Sequence, residues 1–286
     1  MIAGIFHEGS GLGDQLFRYI TVRTLAEEKG YEWGMLAQGQ GFKGDFFKGG
    51  WDNFYHANPV SKGWPNGFTD WFEKDIRDAQ GNDIRSYDPE INFVEDNTVI
   101  DGSFEDSKYW GHNLENISKW LAVEPLNVPD NKVMLGFRGG EYATQPDLFL
   151  EPEYWEEAMS AIGPIMAEAN KGAAVYSYEV HTDDPATARS VLTEARKNNL
   201  AGISSVTFVD NQPISHSKHT NMALNWRSAR YAKYAIIPNS AFFIIPRLLK
   251  HFEDPTAVTI APRYWARRNT KVWARPACWY REFLYI

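Results

Sequence analysis

Cysteine is almost missing from this sequence, since Cys278 is the single one among 286 residues. A disulfide framework and a zinc site built from cysteines are therefore excluded, and the reducing cytosol is the expected compartment. Long apolar runs are missing too, because no stretch approaches the ~20 residues of a membrane-spanning helix. The first residues reach His7 and Glu8 without a basic segment, which is unlike a signal peptide. We therefore expect a cytoplasmic protein with no integral membrane segment.

Positive charge is also scarce. The 29 Lys and Arg residues face 37 Asp and Glu residues, which gives a net charge of −8. A surface of this sign disfavours wrapping a polyanion such as duplex DNA, so we expect no nucleic-acid partner. A local basic pocket for one small anion stays compatible with this balance.

Aromatic side chains are abundant, at 15% of residues with 11 Trp. The rest of the composition is ordinary for a globular protein, and the length favours about two domains. Many of the rings fall between positions 38 and 89, where apolar periodicity is lost and Gly, Pro, Asn and Asp are frequent. Two interpretations stay open: the rings fill a core, or some of them stack on sugar rings or bases.

The periodic parts of the chain alternate between strand and helix. An apolar run at 2–6, a glycine loop, a helical pattern at 15–29 stopped by Gly30, and a run at 31–36 predict a strand, loop, helix, strand unit. A further strand is predicted at 99–104, and a stretch with two prolines at 121–130 is interpreted as the interdomain linker. Beyond it, strands are predicted at 132–138, 173–181, 205–209, 234–237 and 257–260, with helices at 152–170, 186–198, 221–232 and 240–250. Such alternation is typical of a doubly wound parallel sheet in an α/β fold.

The glycine loop holds Gly9, Gly11 and Gly13 directly before the first helix. Alternate glycines let backbone N–H groups approach an anion, and the helix dipole favours negative charge there. The dinucleotide fingerprint G-x-G-x-x-G fails at Asp14, and no Gly-Lys-Ser/Thr of a P-loop follows. A tight turn without a ligand is the alternative interpretation.

Arg138 ends the first predicted strand of the second domain, at the edge where ligands bind in open α/β sheets. A guanidinium there suits bidentate contact with a phosphate. An ion pair with a neighbouring carboxylate such as Glu141 is an equally good interpretation from the sequence alone.

Two further segments follow predicted strands of the same domain. Asp183 and Asp184 suit ribose hydroxyls or a guanine edge, although Asp184 before a proline is the favoured pattern for a helix cap. Asn239 and Ser240 precede a helix whose first N–H groups suit either a phosphate or simple capping.

Taken together and in order, these segments resemble one family. The run G-L-G-D-Q-L-F-R-Y from Gly11 is similar to the G-G-L-G-N-Q-L-F-Q-Y opening of glycosyltransferase family 11, the bacterial and animal α-1,2-fucosyltransferases. The run D-G-S-F-E-D-S-K-Y-W from Asp101 resembles its G-Y-F-Q-S-x-K-Y-F, and G-F-R-G-G-E-Y from Gly136 stands where the family has H-x-R-R-G-D-Y. Later runs follow in family order: L-E-P-E-Y-W, T-D-D-P, N-S-A-F and A-P-R-Y-W.

The chain departs from the family pattern at several of these positions. Gly136 replaces a histidine, Gly139 an arginine, Glu141 an aspartate and Asp14 an asparagine. Arg138 is the motif arginine that remains, and the resemblance implies that it contacts the donor β-phosphate.

The resemblance implies a GT-B fold, in which two Rossmann-like, doubly wound domains face a cleft. Residues 1–124 would form the acceptor side and residues 131–286 the nucleotide-sugar side, with 263–286 packing back on the first domain. The implied activity is inverting, metal-independent transfer of fucose from GDP-fucose, the donor substrate, to a glycan acceptor, without a cofactor. In agreement, the sequence has no D-x-D pair to hold a metal, and His216 and His219 lack an evident third ligand.

Site residues are assigned on this basis. A carboxylate would take the acceptor proton, with Glu8 the first choice, then Asp14, then Glu141. The donor would contact Gly11, Gly13, Arg138, Asp183, Asp184, Asn239, Ser240 and Phe242, and the acceptor Trp51, Tyr55, Trp64 and Trp71.

Three alternative functions remain open at this point. The first is a carbohydrate- or nucleotide-binding protein of the same fold that has lost catalysis, and the second is a transferase that uses another nucleotide sugar. A weaker third is single-stranded nucleic-acid binding through the aromatic region and the basic tail, which the net charge disfavours.

Overall fold

The structure is a computed structural model that describes residues 1–37, 41–48, 54–56, 67–74, 87–169, 171, 175–196, 203–209, 220–267, 273–274 and 279–286. The described residues form two compact units, and the division falls between Val123 and Glu124. Each unit is built on its own sheet.

The first unit has a five-stranded sheet in the order β3-β2-β1-β5-β4, with all neighbours parallel. Its elements are β1 (Ile2–Phe6), α1 (Leu12–Lys29), β2 (Trp33–Ala37), β3 (Phe54–His56), β4 (Thr69–Phe72), β5 (Thr98–Asp101) and α2 (Leu114–Trp120). Short 3₁₀ helices lie at Pro89–Phe93, Ser107–Tyr109 and Gly111–Asn113. The aromatic region 38–89, predicted to lack regular structure, therefore contributes two strands, which are too short to show a period.

Helix α1 begins and ends where its sequence provides caps. Gly11 is the N-cap in extended conformation, and its amide donates to the Asp14 carboxylate at 3.2 Å. Gly30 ends the helix in the left-handed region at φ 68°, which glycine adopts without steric cost. The predicted stop is confirmed, while the helix starts three residues earlier than the apolar period indicated.

The second unit has a six-stranded parallel sheet in the order β13-β10-β9-β6-β7-β8. Its strands are β6 (Lys132–Phe137), β7 (Tyr176–Thr182), β8 (Ile203–Phe208), β9 (Tyr234–Ile236), β10 (Val258–Ala261) and β13 (Leu284–Tyr285). Its helices are α3 (Pro152–Ala169), α4 (Pro185–Ala195), α5 (Thr220–Tyr231), α6 (Ala241–Glu253) and the 3₁₀ helix Gly140–Thr144. Two short antiparallel strands, β11 (Ala266–Arg267) and β12 (Trp273–Ala274), form a separate ribbon.

Renumbered within the unit, this strand order is 3-2-1-4-5-6, the doubly wound Rossmann order. Every strand and helix predicted beyond residue 131 is found, with ends that differ by at most three residues. The predicted α/β, GT-B-like class with two doubly wound sheets is confirmed, because each unit is a parallel sheet with crossover helices. The cleft between the domains stays a prediction.

The core of the second unit shows why β6 lies at the centre of the sheet. Val133, Leu135 and Phe137 alternate onto one face and are fully buried with Trp155 and Met159 of α3. Both faces of a central parallel strand are covered by helices, so β6 reads as a continuous apolar run.

The C-terminal segment was expected to pack on the first domain. Its last strand, β13, pairs in parallel with β10 at the edge of the second sheet. The Ile286 amide donates to the Ala261 carbonyl at 3.1 Å, and the Arg263 amide to the Ile286 carbonyl at 2.7 Å. This part of the segment therefore belongs to the second unit.

Candidate functional site

A pocket of about 550 Å³ opens at the carboxyl ends of β6 and β7, beside the N-terminal parts of α5 and α6. In the strand order, β6 is where the chain turns from β7 and β8 to β9 on its other side. Ligands of open α/β sheets bind at this kind of switch point. The pocket is lined by Phe137, Arg138, His181, Thr182, Asp183, Pro185, Asn221, Met222, Asn225, Phe242 and Phe243.

Arg138 lies at the mouth of this pocket, with its side chain 30% exposed. Its Nη1 is 2.7 Å from Asp183 Oδ2, and its Nη2 donates to Glu141 Oε1 at 3.2 Å. The guanidinium also lies 5.1 Å from the ring centre of Tyr142, while its Nε–H is buried with no acceptor among the described residues. The ion-pair interpretation of Arg138 is therefore confirmed, with Asp183 as a partner that the sequence did not indicate.

The two carboxylates that hold Arg138 differ in how firmly they are placed. Asp183 also accepts the Gly139 amide at 2.9 Å and is about one third exposed. Glu141 is 65% exposed and makes the longer contact. An incoming anion can therefore displace Glu141 at much lower cost than Asp183.

Asp184, assigned to the donor, caps α4. Its Oδ1 accepts the Thr187 amide at 3.1 Å and its Oδ2 the Thr187 hydroxyl at 2.5 Å, and these hydrogen bonds lower the pKa of Asp184. Pro185 occupies the first helical position. The capping interpretation is confirmed.

At both glycines that depart from the family pattern, an added side chain would collide with a neighbouring side chain. A Cβ on Gly136 would lie 2.6 Å from the Phe243 ring, and one on Gly139 would lie 2.5 Å from Asp184 Cβ. Gly140 has a φ of +24°, and a Cβ there would lie 2.7 Å from Asp183 Oδ2. The run from 136 to 140 thus lets α6 and the β7 loop approach the end of β6.

His181, which was not among the predicted site residues, lies on the pocket wall and is fully buried. Its Nε2 is 3.1 Å from Glu179 Oε1, and its Nδ1 is 2.9 Å from Asn225 Oδ1. The hydrogen bond from His181 and the Lys132 ammonium hold the pKa of Glu179 down to about 2. The network ties β7 to α5, and its place at a strand end was the signal that could have found it.

The N-terminus of α6 borders the same pocket. Asn239 is buried and donates through Nδ2 to the carbonyls of Leu148 at 2.8 Å and Trp265 at 2.5 Å, so it joins three loops. Ser240 is at the N-cap position, but its side chain makes no capping hydrogen bond. Phe242, half-buried, packs edge-to-face on Trp226 and Phe243.

In the first unit, the glycine-loop motif holds loops together. Gln15, fully buried, donates to Gly41 O at 3.4 Å and accepts the Lys43 amide at 2.9 Å. Arg18 donates to Gly102 O at 2.7 Å and to Ser10 Oγ at 3.2 Å. The most family-like run of the sequence thus performs structural work around this loop.

Three residues assigned to the loop are placed as follows. Glu8 is exposed in the turn before Gly9, and Gly13 is buried within α1. Asp14 is occupied as the partner of the Gly11 amide, and desolvation raises its pKa although Gly11, Arg18 and Lys43 oppose the shift.

His7 and Asp101 were not among the predicted site residues. They follow β1 and end β5, two neighbouring parallel strands. His7 Nε2 is 2.8 Å from Asp101 Oδ1 and 2.9 Å from Oδ2. His7 directly follows the predicted strand at 2–6, whereas Asp101 falls inside the predicted strand at 99–104, so the sequence pattern pointed to only one member of this pair.

Of the predicted acceptor residues, Trp51 and Trp64 lie outside the described residues. His216 and His219, considered as metal ligands, lie outside them as well. Tyr55 lies in β3. Trp71 lies in β4, half-buried, with its ring stacked on Phe104 at 6.2 Å between centres.

The described ranges contain no group of three or more His, Cys, Asp or Glu side chains placed to share a metal ion. No helix within them has the length and apolarity needed to cross a membrane.

No protein-family model matches this chain, and no curated protein matches it. Solved structures of glycosyltransferases are similar to it in fold. E. coli heptosyltransferase WaaC with ADP gives a TM-score of 0.42 at 12% identity, over 92% of this chain and 87% of that one. The same enzyme with ADP-2-deoxy-2-fluoro heptose gives 0.47 at 11%, over 100% and 93%. NodZ alpha-1,6-fucosyltransferase soaked with GDP-fucose gives 0.35 at 11%, over 86% and 92%. At these identities the likeness concerns the fold alone.

Proposed function

We propose that this protein is an inverting glycosyltransferase that moves fucose from GDP-fucose to a hydroxyl of a glycan acceptor. The observation that carries the proposal is Arg138, whose guanidinium faces the 550 Å³ pocket at the switch point of a Rossmann-ordered sheet. The ordered motifs shared with glycosyltransferase family 11 support the choice of GDP-fucose and of the acceptor type.

In this proposal the donor diphosphate takes the place of Glu141 on the guanidinium. Glu141 Oε1 already presents opposite charge to Nη2 at 3.2 Å, which is the contact that a phosphate oxygen would make, while Asp183 Oδ2 stays 2.7 Å from Nη1. Asp183 keeps the fork oriented because it is also held by the Gly139 amide. Charge that develops on the leaving diphosphate is then stabilised by a donor already in position.

The rest of the donor has candidate contacts around the same pocket. The first N–H groups of α6, next to Asn239 and Ser240, favour a second phosphate oxygen. The half-buried ring of Phe242, which lines the pocket, is suited to an apolar face of the base or sugar. Gly11 and Gly13 stay in the proposal only as backbone contacts, since Gly13 is buried in α1.

Reaction follows from attack on the anomeric carbon. The acceptor hydroxyl approaches opposite the diphosphate, so the configuration inverts, and the transition state resembles an oxocarbenium ion. On the acceptor side, Trp71 supplies a half-buried ring with which a sugar face can stack. Trp71→Ala should then raise the acceptor KM and leave GDP affinity unchanged.

A donor screen tests the proposal. GDP-fucose should raise the melting temperature more than UDP-sugars do, and incubation with glycan acceptors should release GDP. GDP-mannose separates recognition of the base from recognition of the sugar. The absence of any nucleotide-dependent shift would overturn the proposal.

Metal independence is part of the same proposal, and it rests on the missing D-x-D pair. Transfer should survive EDTA. Loss of transfer on chelation, restored by Mn²⁺ or Mg²⁺, would contradict it.

A second candidate is a nucleotide- or carbohydrate-binding protein without turnover. The observation that favours it is the occupation of both Arg138 terminal nitrogens by carboxylates. Such a protein would be stabilised by GDP and GDP-fucose but would release no GDP with any acceptor. The same screen therefore separates the two candidates.

A further inference from the structure

A pocket of about 390 Å³, the β4 pocket, lies in the first unit beside β4 and the 3₁₀ helix Pro89–Phe93. Two aromatic side chains line it, that of Trp71 in β4 and that of Phe93 at the end of the 3₁₀ helix. Trp71 is half-buried. Phe93 is 80% exposed, more than any other large apolar side chain among the described residues. Phe93 is therefore one of the aromatic residues that do not fill a core.

The Trp71 ring is held in place from one side. It stacks on the ring of Phe104, which is fully buried, with 6.2 Å between the ring centres and 15° between the planes. Phe104 has a φ of +53°, which is uncommon for a residue with a bulky side chain. Its backbone is fixed by Glu73, whose Oε2 accepts the Ser103 amide at 2.7 Å and the Phe104 amide at 3.1 Å. Trp71 thus rests on a rigid support, and the part of it that stays exposed lines the pocket.

The backbone that presents Phe93 is fixed as well. Asp88 caps the 3₁₀ helix by accepting the Glu90 amide at 3.0 Å. Ile91 and Val94 of the same short segment are buried and anchor it to the unit. A ligand that stacks on Phe93 therefore has to order only the two side-chain torsions of this ring, so the entropic cost of binding is small.

The charged groups that line the β4 pocket are hydrogen-bond acceptors. Asp70 and Glu95 line it, and neither carboxylate has a hydrogen-bond or ion-pair partner among the described residues. Glu90 lines it too and pairs with the Lys74 ammonium at 3.1 Å. No Lys or Arg belongs to the described residues that line the pocket. Carboxylates repel phosphates and acidic sugars, and they accept hydrogen bonds from hydroxyl groups.

Rings beside carboxylates match the two kinds of surface that a sugar presents. The apolar C–H face of a pyranose packs on an aromatic ring, while the hydroxyls at its rim donate to acceptors. The volume of about 390 Å³ lies in the usual range of small-molecule sites.

We infer that the β4 pocket binds a neutral oligosaccharide. Trp71 and Phe93 stack on sugar faces, and the carboxylates of Asp70 and Glu95 accept hydrogen bonds from sugar hydroxyls. This goes beyond the proposed function, because binding here needs neither donor nor transfer, and it concerns the first unit alone.

The test measures binding of cellotetraose, chitotetraose and lactose to the full chain without nucleotide, by saturation-transfer NMR and by calorimetric titration. At least one of these probes should bind to the wild type. Phe93→Ala should weaken that binding roughly tenfold because a stacking ring is lost, whereas Phe93→Tyr keeps a ring and should bind as the wild type does. The double variant Asp70→Ala with Glu95→Ala should weaken it roughly fivefold or more through lost hydrogen bonds.

Phe72→Ala is the matched control, because Phe72 is a ring of the same strand that is 64% exposed and does not line the β4 pocket. Its affinity for the oligosaccharide should equal that of the wild type. Tetramethylammonium chloride is the probe for the alternative ligand class, an organic cation, which rings and carboxylates also attract.

Four outcomes would overturn the inference. They are binding of no oligosaccharide, wild-type affinity in a folded Phe93→Ala protein, an equal loss in Phe72→Ala, and binding of tetramethylammonium, but of no sugar, that depends on Phe93. Because the assay contains no nucleotide, each of these leaves the donor screen of the proposed function to be decided separately. A protein that binds an oligosaccharide through Phe93 but shows no nucleotide-dependent shift would overturn the proposed function and support this site.

Discussion

Arg247 and Arg138 belong to the same unit, but different kinds of acceptor surround their guanidinium groups. Arg247, fully buried, donates to Thr259 Oγ1 and to the carbonyls of Ala229 at 2.9 Å, Ala232 at 2.6 Å and Val258 at 3.1 Å. Arg138 contacts the carboxylate side chains of Asp183 and Glu141 at the mouth of a pocket.

The difference separates a structural arginine from a binding one. Backbone carbonyls at the end of α5 lack helical partners, and a buried cation there satisfies them and complements the helix dipole. These acceptors are fixed by the fold, so no ligand can replace them. The acceptors of Arg138 are side chains, one of them largely exposed, so an anion can exchange with them.

The largest expected effect is on the stability of an Arg247→Met protein. Several buried carbonyls lose their donor at once, so the free energy of unfolding should fall by about 3–5 kcal/mol. Urea denaturation measures it. A loss below about 1 kcal/mol would show that Arg247 is not the link between α5, α6 and β10.

Arg138→Ala should show the opposite pattern. Its transfer rate should fall roughly 10²–10³-fold, because the fork that stabilises the leaving diphosphate is gone. The free energy of unfolding should change by no more than about 1 kcal/mol, since the ion pairs are part-exposed. Arg138→Lys should rescue poorly because it lacks the fork. Normal turnover in either variant would contradict a binding role.

The pH dependence of stability is a second test of the structural region around Arg247, because His251 is buried beside it. Burial, and then the charge of Arg247, lower the pKa of His251 to about 4, and its Nε2 lies 2.9 Å from Thr259 Oγ1. The unfolded chain takes up a proton near pH 6.5 that the folded chain resists. The stabilising contribution of neutral His251 is therefore complete above that value and is lost as pH falls toward 4. The total is on the order of 3 kcal/mol.

Urea denaturation of wild type and His251→Gln between pH 7 and pH 4.5 measures this contribution. The wild type should lose more stability than the variant over that range. Equal losses would mean that His251 does not resist protonation in the fold.

The smallest effect is expected from Gly136→Ala, which tests the binding role of the pocket beside Arg138. A Cβ 2.6 Å from the Phe243 ring forces this ring, which lines the pocket, to shift. We expect lower GDP affinity and a stability loss of about 1–3 kcal/mol. Gly41→Ala is the control, because a Cβ there meets no atom within 4 Å. Unchanged GDP affinity in Gly136→Ala would show that Phe243 does not contribute to binding of the nucleotide.

How much of this site could be predicted depends on the distance along the chain over which its contacts act. The Asp184 cap involves residues three apart, so the local pattern identified it correctly. Arg138 was located at its strand end, but its partner Asp183 is 45 residues away, and no local pattern favours Asp183 over Glu141 as the partner. His7 and Asp101 were missed because their pairing depends on which strands are neighbours.

By itself, the sequence determined the alternation of strands and helices in the second unit, the stop of α1 at Gly30 and the cap of α4. Each of these follows from periodicity or from a residue within one turn of the element it shapes. Only the tertiary structure decided that β3 and β4 join the first sheet and that Phe243 fills the space above Gly136. It also decided that Arg247 reaches the end of α5. The physical reason is that strand order and helix packing are set by burial between segments far apart in the chain, which a local pattern does not encode.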